Sequence, residues 1–472
     1  MSKPLFVLDD VLGFTGAEAF RAQGFAGEEI FSVVVDSRKA APGSLFVPLK
    51  GERTDGHLYI ADAFSRGARV CFVDRSFWDA QGEELRPCAQ KFRAACIVVD
   101  SSFSALHTLA ARRLQSFSAL RIGITGSNGK TTTKEITGAI LSQEAPSFMT
   151  KGNLNSDIGL PLSVFDMEGS PGFAVFEMGI NRAGEMDILV DIVRPQAALI
   201  TNIGSAHSGI LGSRRNIAAE KKKLFLALSP DGKAWVYERD TYRAFLVDGV
   251  AAETFLFGET STPGFSGAQD AGLDGWDISL DGEMIRFPLP GIYNLRNALA
   301  AVSLCKGVGA SGSAIRAGLE AVKPLFGRSE VFRGELTVLR DCYNANPESM
   351  GNALAFASSL AWKGRKLAVL GSMKELGSSS AEEHRALGKL LAGSAFDAVF
   401  LFGDEMEEAH RACAQARFSG VLAWHTDLDG LRNAVQSFVQ RGDLVLVKGS
   451  RSMEMERITE SLNAQAPGGV HV

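Results

Sequence analysis

Leu120-Arg121-Ile122-Gly123-Ile124-Thr125-Gly126-Ser127-Asn128-Gly129-Lys130-Thr131-Thr132-Thr133-Lys134-Glu135 decides the reading of this chain. An apolar, β-prone run ends in a glycine-rich turn, and a helix-permissive stretch follows. That is the layout of a phosphate-binding loop. Small residues at Gly126, Ser127, Asn128 and Gly129 let backbone N–H groups close around phosphate oxygens, and the helix N-terminus adds a partial positive charge. Lys130 is placed to reach the β- and γ-phosphates, and the Thr131 hydroxyl, followed by Thr132, to hold Mg²⁺. The usual G-x-x-x-x-G-K-[ST] pattern wants glycine at 124, where this chain has Ile124 and carries its glycine at 126. A tight strand-to-helix turn with an incidental lysine is the plainer alternative. The strand before and the helix after favour the nucleotide reading, but the loop alone does not name a reaction.

A chain of 472 residues is too long for one ordinary core, so about three domains are expected. Hydrophobic residues make up 46% and charged residues 22%, the balance of a soluble globular protein. A net charge of −5 gives no reason to expect nucleic acid or an anionic membrane as partner. No apolar run reaches the roughly 20 residues of a membrane span. Asp9 and Asp10 stand where a signal peptide needs its apolar core, so a cytoplasmic location is expected. The six cysteines are scattered without a C-x-x-C and read as free thiols.

Outward from the loop, the pattern predicts an α/β protein of three domains. Residues 1–105 mix strands (Ser32–Asp36, Ser44–Leu49, Arg69–Asp74) with a helix at Ile60–Arg66, a small α/β domain without a phosphate loop. Residues 106–325 open with a helix at Ser104–Ser116. They continue through strands Gly172–Phe176, Ala197–Ile203 and Ala234–Tyr237, an alternation that implies parallel strands with crossover helices. Residues 258–275 are rich in Gly, Ser and Thr and read as a loop or insertion, and Gly291–Gly307 as an alanine-rich helix. Residues 326–472 restart the alternation. Strands are predicted at Leu336–Arg340, Leu367–Leu370, Ala398–Phe402, Val421–Trp424 and Leu444–Val447, and helices at Ser349–Trp362, Ala381–Ala392 and Leu428–Gln440.

Several residues suit chemistry beside a phosphate loop. Glu177 ends a parallel strand, where an acid is placed to hold Mg²⁺ or is simply solvated. His207 follows the next strand end, and for a lone histidine a structural role is the common alternative. Lys221 stands in Glu220-Lys221-Lys222-Lys223, which by itself reads as a basic helix face. Asn153 and Asn155 lie in a turn-rich loop that also suits a polar substrate. Asp341-Cys342-Tyr343-Asn344-Ala345-Asn346-Pro347 follows a strand; it is either a turn before a helix or a place where Asp341 accepts from ribose hydroxyls.

Taken together these segments resemble the Mur ligases of peptidoglycan synthesis over nearly the whole chain. Thr125–Thr132 is similar to that family's own phosphate loop, which accounts for Ile124. Glu177-Met178-Gly179, Asn202-Ile203-Gly204-x-Ala206-His207 and Asn294-x-x-Asn297-Ala298 occur in the family's order. Tyr343-Asn344-Ala345-Asn346-Pro347-x-Ser349-Met350, Leu370–Gly377 and Val447-Lys448-Gly449-Ser450-Arg451 resemble the branch that joins D-alanyl-D-alanine to a UDP-N-acetylmuramoyl-tripeptide. Asn153-Leu154-Asn155-x-Asp157-Ile158-Gly159-x-Pro161 agrees with the same branch. In the N-terminal domain, Asp36-Ser37-Arg38, Pro42-Gly43-x-Leu45-Phe46-Val47 and Asp55-Gly56-His57 resemble a UDP-binding domain.

The resemblance implies a Rossmann-like C-terminal domain, a central ATPase domain and a mechanism. ATP phosphorylates the tripeptide's terminal carboxylate, the dipeptide amine attacks the acyl phosphate, and phosphate leaves. Positioning and electrostatic clamping must dominate such chemistry. It implies two Mg²⁺ ions, one on Thr131 and Glu177, the other on His207 and a carbamylated Lys221. Lys130, Glu177, His207 and Lys221 are then the catalytic set. Asn294 and Asn297 are expected at the nucleotide, with Asn297 on the adenine, Arg328 on the γ-phosphate and Asp341 on the ribose. Ser37 and Arg38 are expected on UDP, and Asn344, Asn346 and Ser349 on the dipeptide. A monomer is expected.

This chain departs from the family at Tyr293 (usually His), Arg340 (usually the first acid of a pair), Ser156 (often Asn) and Lys223 (often Glu). The competing readings are a sister ligase or folylpolyglutamate synthase-like ligase adding a single amino acid, a phosphate-loop GTPase switch, and an inactive scaffold. The segment Tyr343–Met350 opposes the first. The chain has no N-K-x-D to read guanine, and the intact Lys130, Glu177, His207 and Lys221 oppose the third.

Overall fold

The computed structural model describes residues 3–27, 29–205 and 208–463. The chain divides into two compact units, the first made of Met1–Gly123, Ser147–Gly179 and Gly184–Pro195, the second of Ile124–Pro146, Ile180–Ala183 and Gln196–Val472.

In the first unit five strands lie in the order Glu18–Arg21, Ala95–Val99, Val70–Asp74, Ser44–Phe46, Ser32–Val34. The first pair is antiparallel and the others are parallel. Ala95–Val99 reads ACIVV and is buried at every position, the continuous apolar run of a parallel strand covered on both faces. The helix Ile60–Ser65 packs Ile60, Ala63 and Phe64 against Phe46 and Val73 of that sheet. The long helix Arg75–Phe92 was not foreseen; it carries Pro87 in its interior, and proline normally argues against a helix. The same unit holds the helix Ser102–Gln115 and a parallel pair, Ser147–Met149 beside Phe173–Glu177.

In the second unit Ala197–Ile200, Lys233–Tyr237 and Glu253–Phe257 are parallel neighbours. Thr201 N–H donates to the Thr125 carbonyl at 2.9 Å, which ties the first of them to the strand that delivers the phosphate loop. Residues 258–275, read as a loop or insertion, are not all loop. Phe265–Asp270 is a strand, the outer member of a three-stranded antiparallel sheet with Trp276–Leu280 and Glu283–Phe287. Its own residues, FSGAQD, carry no apolar alternation; the pairing with Trp276–Leu280, whose alternate residues are buried, makes it a strand.

The remainder of the second unit holds a six-stranded sheet in the order Glu330–Arg333, Thr337–Arg340, Leu444–Lys448, Lys366–Gly371, Ala398–Phe402, Val421–His425. Only the first pair is antiparallel. One face is packed by Leu354, Leu387 and Met406, the other by Leu431, Val435 and Ile458, so this sheet too is covered on both sides. The strands and helices predicted here occur within a few residues of their expected bounds. The six cysteines are free. No helix among the described residues is long and apolar enough to cross a membrane.

Candidate active site

The strand Leu120–Thr125 delivers its chain into a turn whose ends are both glycines with positive φ, Gly126 at 151° and Gly129 at 80°. Gly129 caps the helix Lys130–Leu141 in the left-handed region, and a Cβ there would lie 2.2 Å from Asn297 Oδ1. Glycine is therefore required twice over, for conformation and for the approach of Asn297. The loop is held from the strand beside it. Ser127 N–H donates to the Asn202 carbonyl at 2.9 Å, and Asn128 N–H to Asn202 Oδ1 at 3.0 Å. Thr201 Oγ1 donates to the Asn128 carbonyl at 2.6 Å, and Gly204 N–H to Ser127 Oγ at 2.8 Å. Lys130 Nζ donates back to the Gly126 carbonyl at 2.9 Å, so its charge already lies at the loop. Thr131 and Thr132 are buried on the first turn.

Residues distant in sequence reach the same loop within this unit. Arg328 Nη2 donates to Thr131 Oγ1 at 3.0 Å, with its guanidinium 4.0 Å from the centre of the Tyr343 ring. Asn346 Nδ2 donates to Asn128 Oδ1 at 2.7 Å. Asn346 also caps the helix Pro347–Ser359, forming a reciprocal capping box with Ser349. Both carboxylate oxygens of Glu348 accept from Ser205, from its N–H at 2.9 Å and its hydroxyl at 2.8 Å. Asn297 and Asn294 are joined at 3.4 Å, and Asn294 Nδ2 donates to Ser329 Oγ at 3.3 Å. Ser329 N–H donates to Asp341 Oδ1 at 3.2 Å, while Lys448 Nζ donates to Asp341 Oδ2 at 2.7 Å and to the Asn344 carbonyl at 3.0 Å.

Lys221 lies on the helix Arg214–Leu226 and is 1% exposed, with Nζ 3.5 Å from the Thr125 hydroxyl. The solvated basic face was expected for Lys222 and Lys223, not for Lys221. Lys222 reaches the Phe245 ring at 4.6 Å, and Lys223 pairs with Glu220 at 2.7 Å. His207 lies outside the described residues.

Glu177, Asn153, Asn155, Ser37 and Arg38 belong to the first unit. Glu177 is buried at the end of its strand; Oε1 accepts from Asn155 Nδ2 at 2.7 Å, and its N–H donates to Thr150 Oγ1 at 3.0 Å. Among the described residues its Oε2 is buried and accepts no hydrogen bond. A buried carboxylate oxygen without a donor is costly unless a cation meets it, and carboxylate and hydroxyl oxygens are the donors Mg²⁺ prefers. The Glu177 carboxylate thus has an oxygen of the kind that such a cation takes. Asn153 is exposed, and its carbonyl accepts from Asn155 N–H at 2.8 Å. Ser37 is buried, and Arg38 forks onto the Asp36 carboxylate at 2.8 and 2.9 Å. Those hydrogen bonds hold Asp36 down to a pKa of about 2.

Three family profiles match the chain: the Mur ligase family catalytic domain at residues 29–114, the Mur ligase middle domain at 124–305, and the Mur ligase glutamate ligase domain at 327–451. The chain belongs to the Mur ligase family. It is similar to the UDP-N-acetylmuramoyl-tripeptide–D-alanyl-D-alanine ligase of Treponema pallidum, 40% identical over 96% of this chain and 97% of that protein. Among solved structures, MurF from Acinetobacter baumannii superposes with a TM-score of 0.86 at 30% identity, covering 98% of this chain and 99% of that one. MurF from Thermotoga maritima in complex with ADP gives 0.79 at 28% identity, covering 92% and 97%.

The places where this Mur ligase departs from its family's usual residues have local explanations. Tyr293 is buried with its hydroxyl 2.9 Å from Ser329 Oγ, and burial, with the Asp341 charge nearby, pushes its pKa far up, so it stays neutral. Arg340 forms a two-point ion pair with Glu330 at 2.7 and 2.9 Å, between the rings of Phe326 and Phe332, and leaves Asp341 as the lone acid. Ser156 Oγ accepts from Gly159 N–H at 3.1 Å. The parts played by Lys448 and Glu348 are not legible in the sequence, because their partners, Asp341 and Ser205, lie too far along the chain for spacing to reveal them.

Proposed function

We propose that this chain is the ATP-dependent ligase that joins D-alanyl-D-alanine to UDP-N-acetylmuramoyl-tripeptide, giving the UDP-muramoyl-pentapeptide used in peptidoglycan synthesis. The γ-phosphoryl group moves from ATP to a carboxylate oxygen of the tripeptide, and ADP is released. The dipeptide amine attacks the acyl carbon and loses a proton, and the tetrahedral intermediate expels inorganic phosphate as the amide forms.

The observation that carries this reading is the meeting of Arg328 and Asn346 with the phosphate loop at Thr131 and Asn128. It brings the segment resembling the dipeptide-adding branch to the nucleotide loop. Supporting it are the T. pallidum ligase and the ADP-bound T. maritima structure, each similar along nearly its whole length. In this reading residues 1–105 bind UDP through Ser37 and Arg38, 106–325 bind ATP, and 326–472 bind the dipeptide near Asn344, Asn346 and Ser349. Lys130 and Arg328 stabilise charge on the moving phosphoryl group. Asn294 and Asn297 meet the adenine side, and Asp341 accepts from the ribose. Asn153 and Asn155 hold the polar substrate, Asn155 also orienting Glu177. Bound Mg²⁺ neutralises phosphate charge; Thr131 and Glu177 are offered to one ion, His207 and a carbamylated Lys221 to a second. The enzyme works in the cytoplasm as a monomer.

The test is phosphate release from ATP with UDP-muramoyl-tripeptide, with and without D-alanyl-D-alanine. Release should require the dipeptide and yield the pentapeptide. Equal turnover with free glutamate or a diamino acid in place of the dipeptide overturns the assignment.

A further inference from the structure

We propose that Lys448 is a positioning residue that couples the nucleotide side of this site to its amine side, an inference that rests on the function proposed above. Lys448 ends the strand Leu444–Lys448, beside Thr337–Arg340 in parallel register, with Arg340 opposite Val447. The ladder continues one step further, since Asp341 N–H donates to the Val447 carbonyl at 2.9 Å. Asp341 and Lys448 therefore emerge together at the carboxyl ends of two neighbouring parallel strands, where α/β folds bind their ligands.

The Lys448 ammonium is 2% exposed. It has three N–H donors, and three acceptors meet it: Asp341 Oδ2 at 2.7 Å, the Asp341 carbonyl at 3.2 Å and the Asn344 carbonyl at 3.0 Å. Its donor capacity is filled by the protein. It acts on substrates through the turn Asp341-Cys342-Tyr343-Asn344, which it holds at both ends.

That turn carries contacts to both halves of the reaction. Asp341, assigned to the ribose, gives its other oxygen to Ser329 N–H. Tyr343 N–H donates to the Gly327 carbonyl at 2.9 Å and lays its ring beneath Arg328. Asn344 and Asn346 continue toward the dipeptide side, and Asn346 reaches Asn128. One buried cation thus sets the spacing between the nucleotide acid and the dipeptide asparagines. A plain counter-ion role needs only the Asp341 carboxylate; the bond to the Asn344 carbonyl serves the far end of the turn.

Three variants separate these roles, each measured for KM of ATP, of D-alanyl-D-alanine and of UDP-muramoyl-tripeptide, and for melting temperature. Asp341→Asn should raise KM for ATP alone. Lys448→Met should raise KM for both ATP and D-alanyl-D-alanine by about tenfold or more, the effect of losing charge-assisted hydrogen bonds to the turn, with KM for the UDP-substrate unchanged. Lys448→Met with Asp341→Asn removes the unpaired buried carboxylate, so it should recover melting temperature without recovering the dipeptide KM. Amide hydrogen exchange across 341–346 should quicken in both Lys448 variants. A folded Lys448→Met, or failing that a folded double variant, whose dipeptide KM is within twofold of wild type overturns the inference. So does a double variant that recovers the dipeptide KM along with its melting temperature, since that marks charge balance alone. Failure of the proposed function is visible separately, in wild-type enzyme that releases phosphate without regard to the dipeptide.

Discussion

Arg328 Nη2 donates to the Thr131 hydroxyl across 3.0 Å while its guanidinium rests 4.0 Å from the Tyr343 ring centre. The first contact fixes the charge at the N-terminus of the phosphate-loop helix, where anions are favoured. The second fixes the plane of the guanidinium, because a cation over an aromatic face is held by the ring's quadrupole. Arg328 is thus preorganised for the phosphate it is proposed to meet, and such preorganisation makes electrostatic stabilisation effective in the transition state.

Arg328→Ala should lower kcat/KM for ATP by about a hundredfold, the scale of losing one such donor. Arg328→Lys keeps the charge but loses the planar fork and the stacking, so it should recover only part of the rate. Both are read by phosphate release with the other substrates saturating. Retention of wild-type rate by Arg328→Lys would reduce the role to a point charge.

Lys130→Ala removes the cation at Gly126 beside the transferring phosphate. The chemical step should slow by roughly a thousandfold, a change of several kcal/mol in the barrier. Circular dichroism and melting should stay close to wild type. Near-normal turnover by folded Lys130→Ala would remove the nucleotide site from this loop.

The sequence made the phosphate loop legible because its grammar is local: a strand, a turn that needs Gly126 and Gly129, and a lysine on the first helical turn. The buried strands of the C-terminal sheet were equally plain, since strands covered on both faces read as uninterrupted apolar runs. Phe265–Asp270 was misread because its pairing, and not its own composition, makes it a strand. The run Glu220–Lys223 taken alone suggests a solvated basic face, the reading preferred for Lys222 and Lys223; both are half-buried, Lys222 over Phe245 and Lys223 against Glu220, partners that local composition does not report. The contacts of Arg328, Asn346 and Glu348 join segments far apart in the chain, and no spacing rule reports such meetings.

In the N-terminal domain, the Asp36–Arg38 fork sets a pH signature. Asp36 is held at about 2 against its ordinary 3.8, chiefly by the Arg38 side chain and then by Arg38 N–H. Its folded pKa is depressed, so the pairing is fully present above about 3.8 and is lost as pH falls through about 2. Arg38→Ala should return the Asp36 titration toward 3.8, seen by NMR of the carboxyl carbon, and raise KM for the UDP-substrate with little effect on ATP. An unmoved Asp36 titration in Arg38→Ala would assign the shift to the local backbone instead.

Lys221 gives the sharpest test of the proposed metal chemistry. In carbamylation the lysine ammonium first gives up a proton, and the neutral amine then adds to CO₂ with loss of a second proton, so a buried cation becomes an anion. Lys221 is 1% exposed with Nζ 3.5 Å from the Thr125 hydroxyl, so a carbamate formed on it would stand at the end of the strand that leads into the phosphate loop. The departure at Lys223 does not disturb this position, because Lys223 is turned to Glu220. Lys221→Ala should therefore lose activity, short carboxylates such as formate or acetate should restore part of it, and Lys221→Glu should retain some because it returns a carboxylate on a shorter stem. A wild-type sample prepared with ¹³C-bicarbonate should show one carbamate carbon resonance that is absent from Lys221→Ala. If Lys221 served only as a cation, Lys221→Arg would be the better replacement and carboxylates would do nothing. A folded Lys221→Ala enzyme that no short carboxylate rescues, together with no carbamate resonance in the wild type, would return Lys221 to the role of a structural lysine.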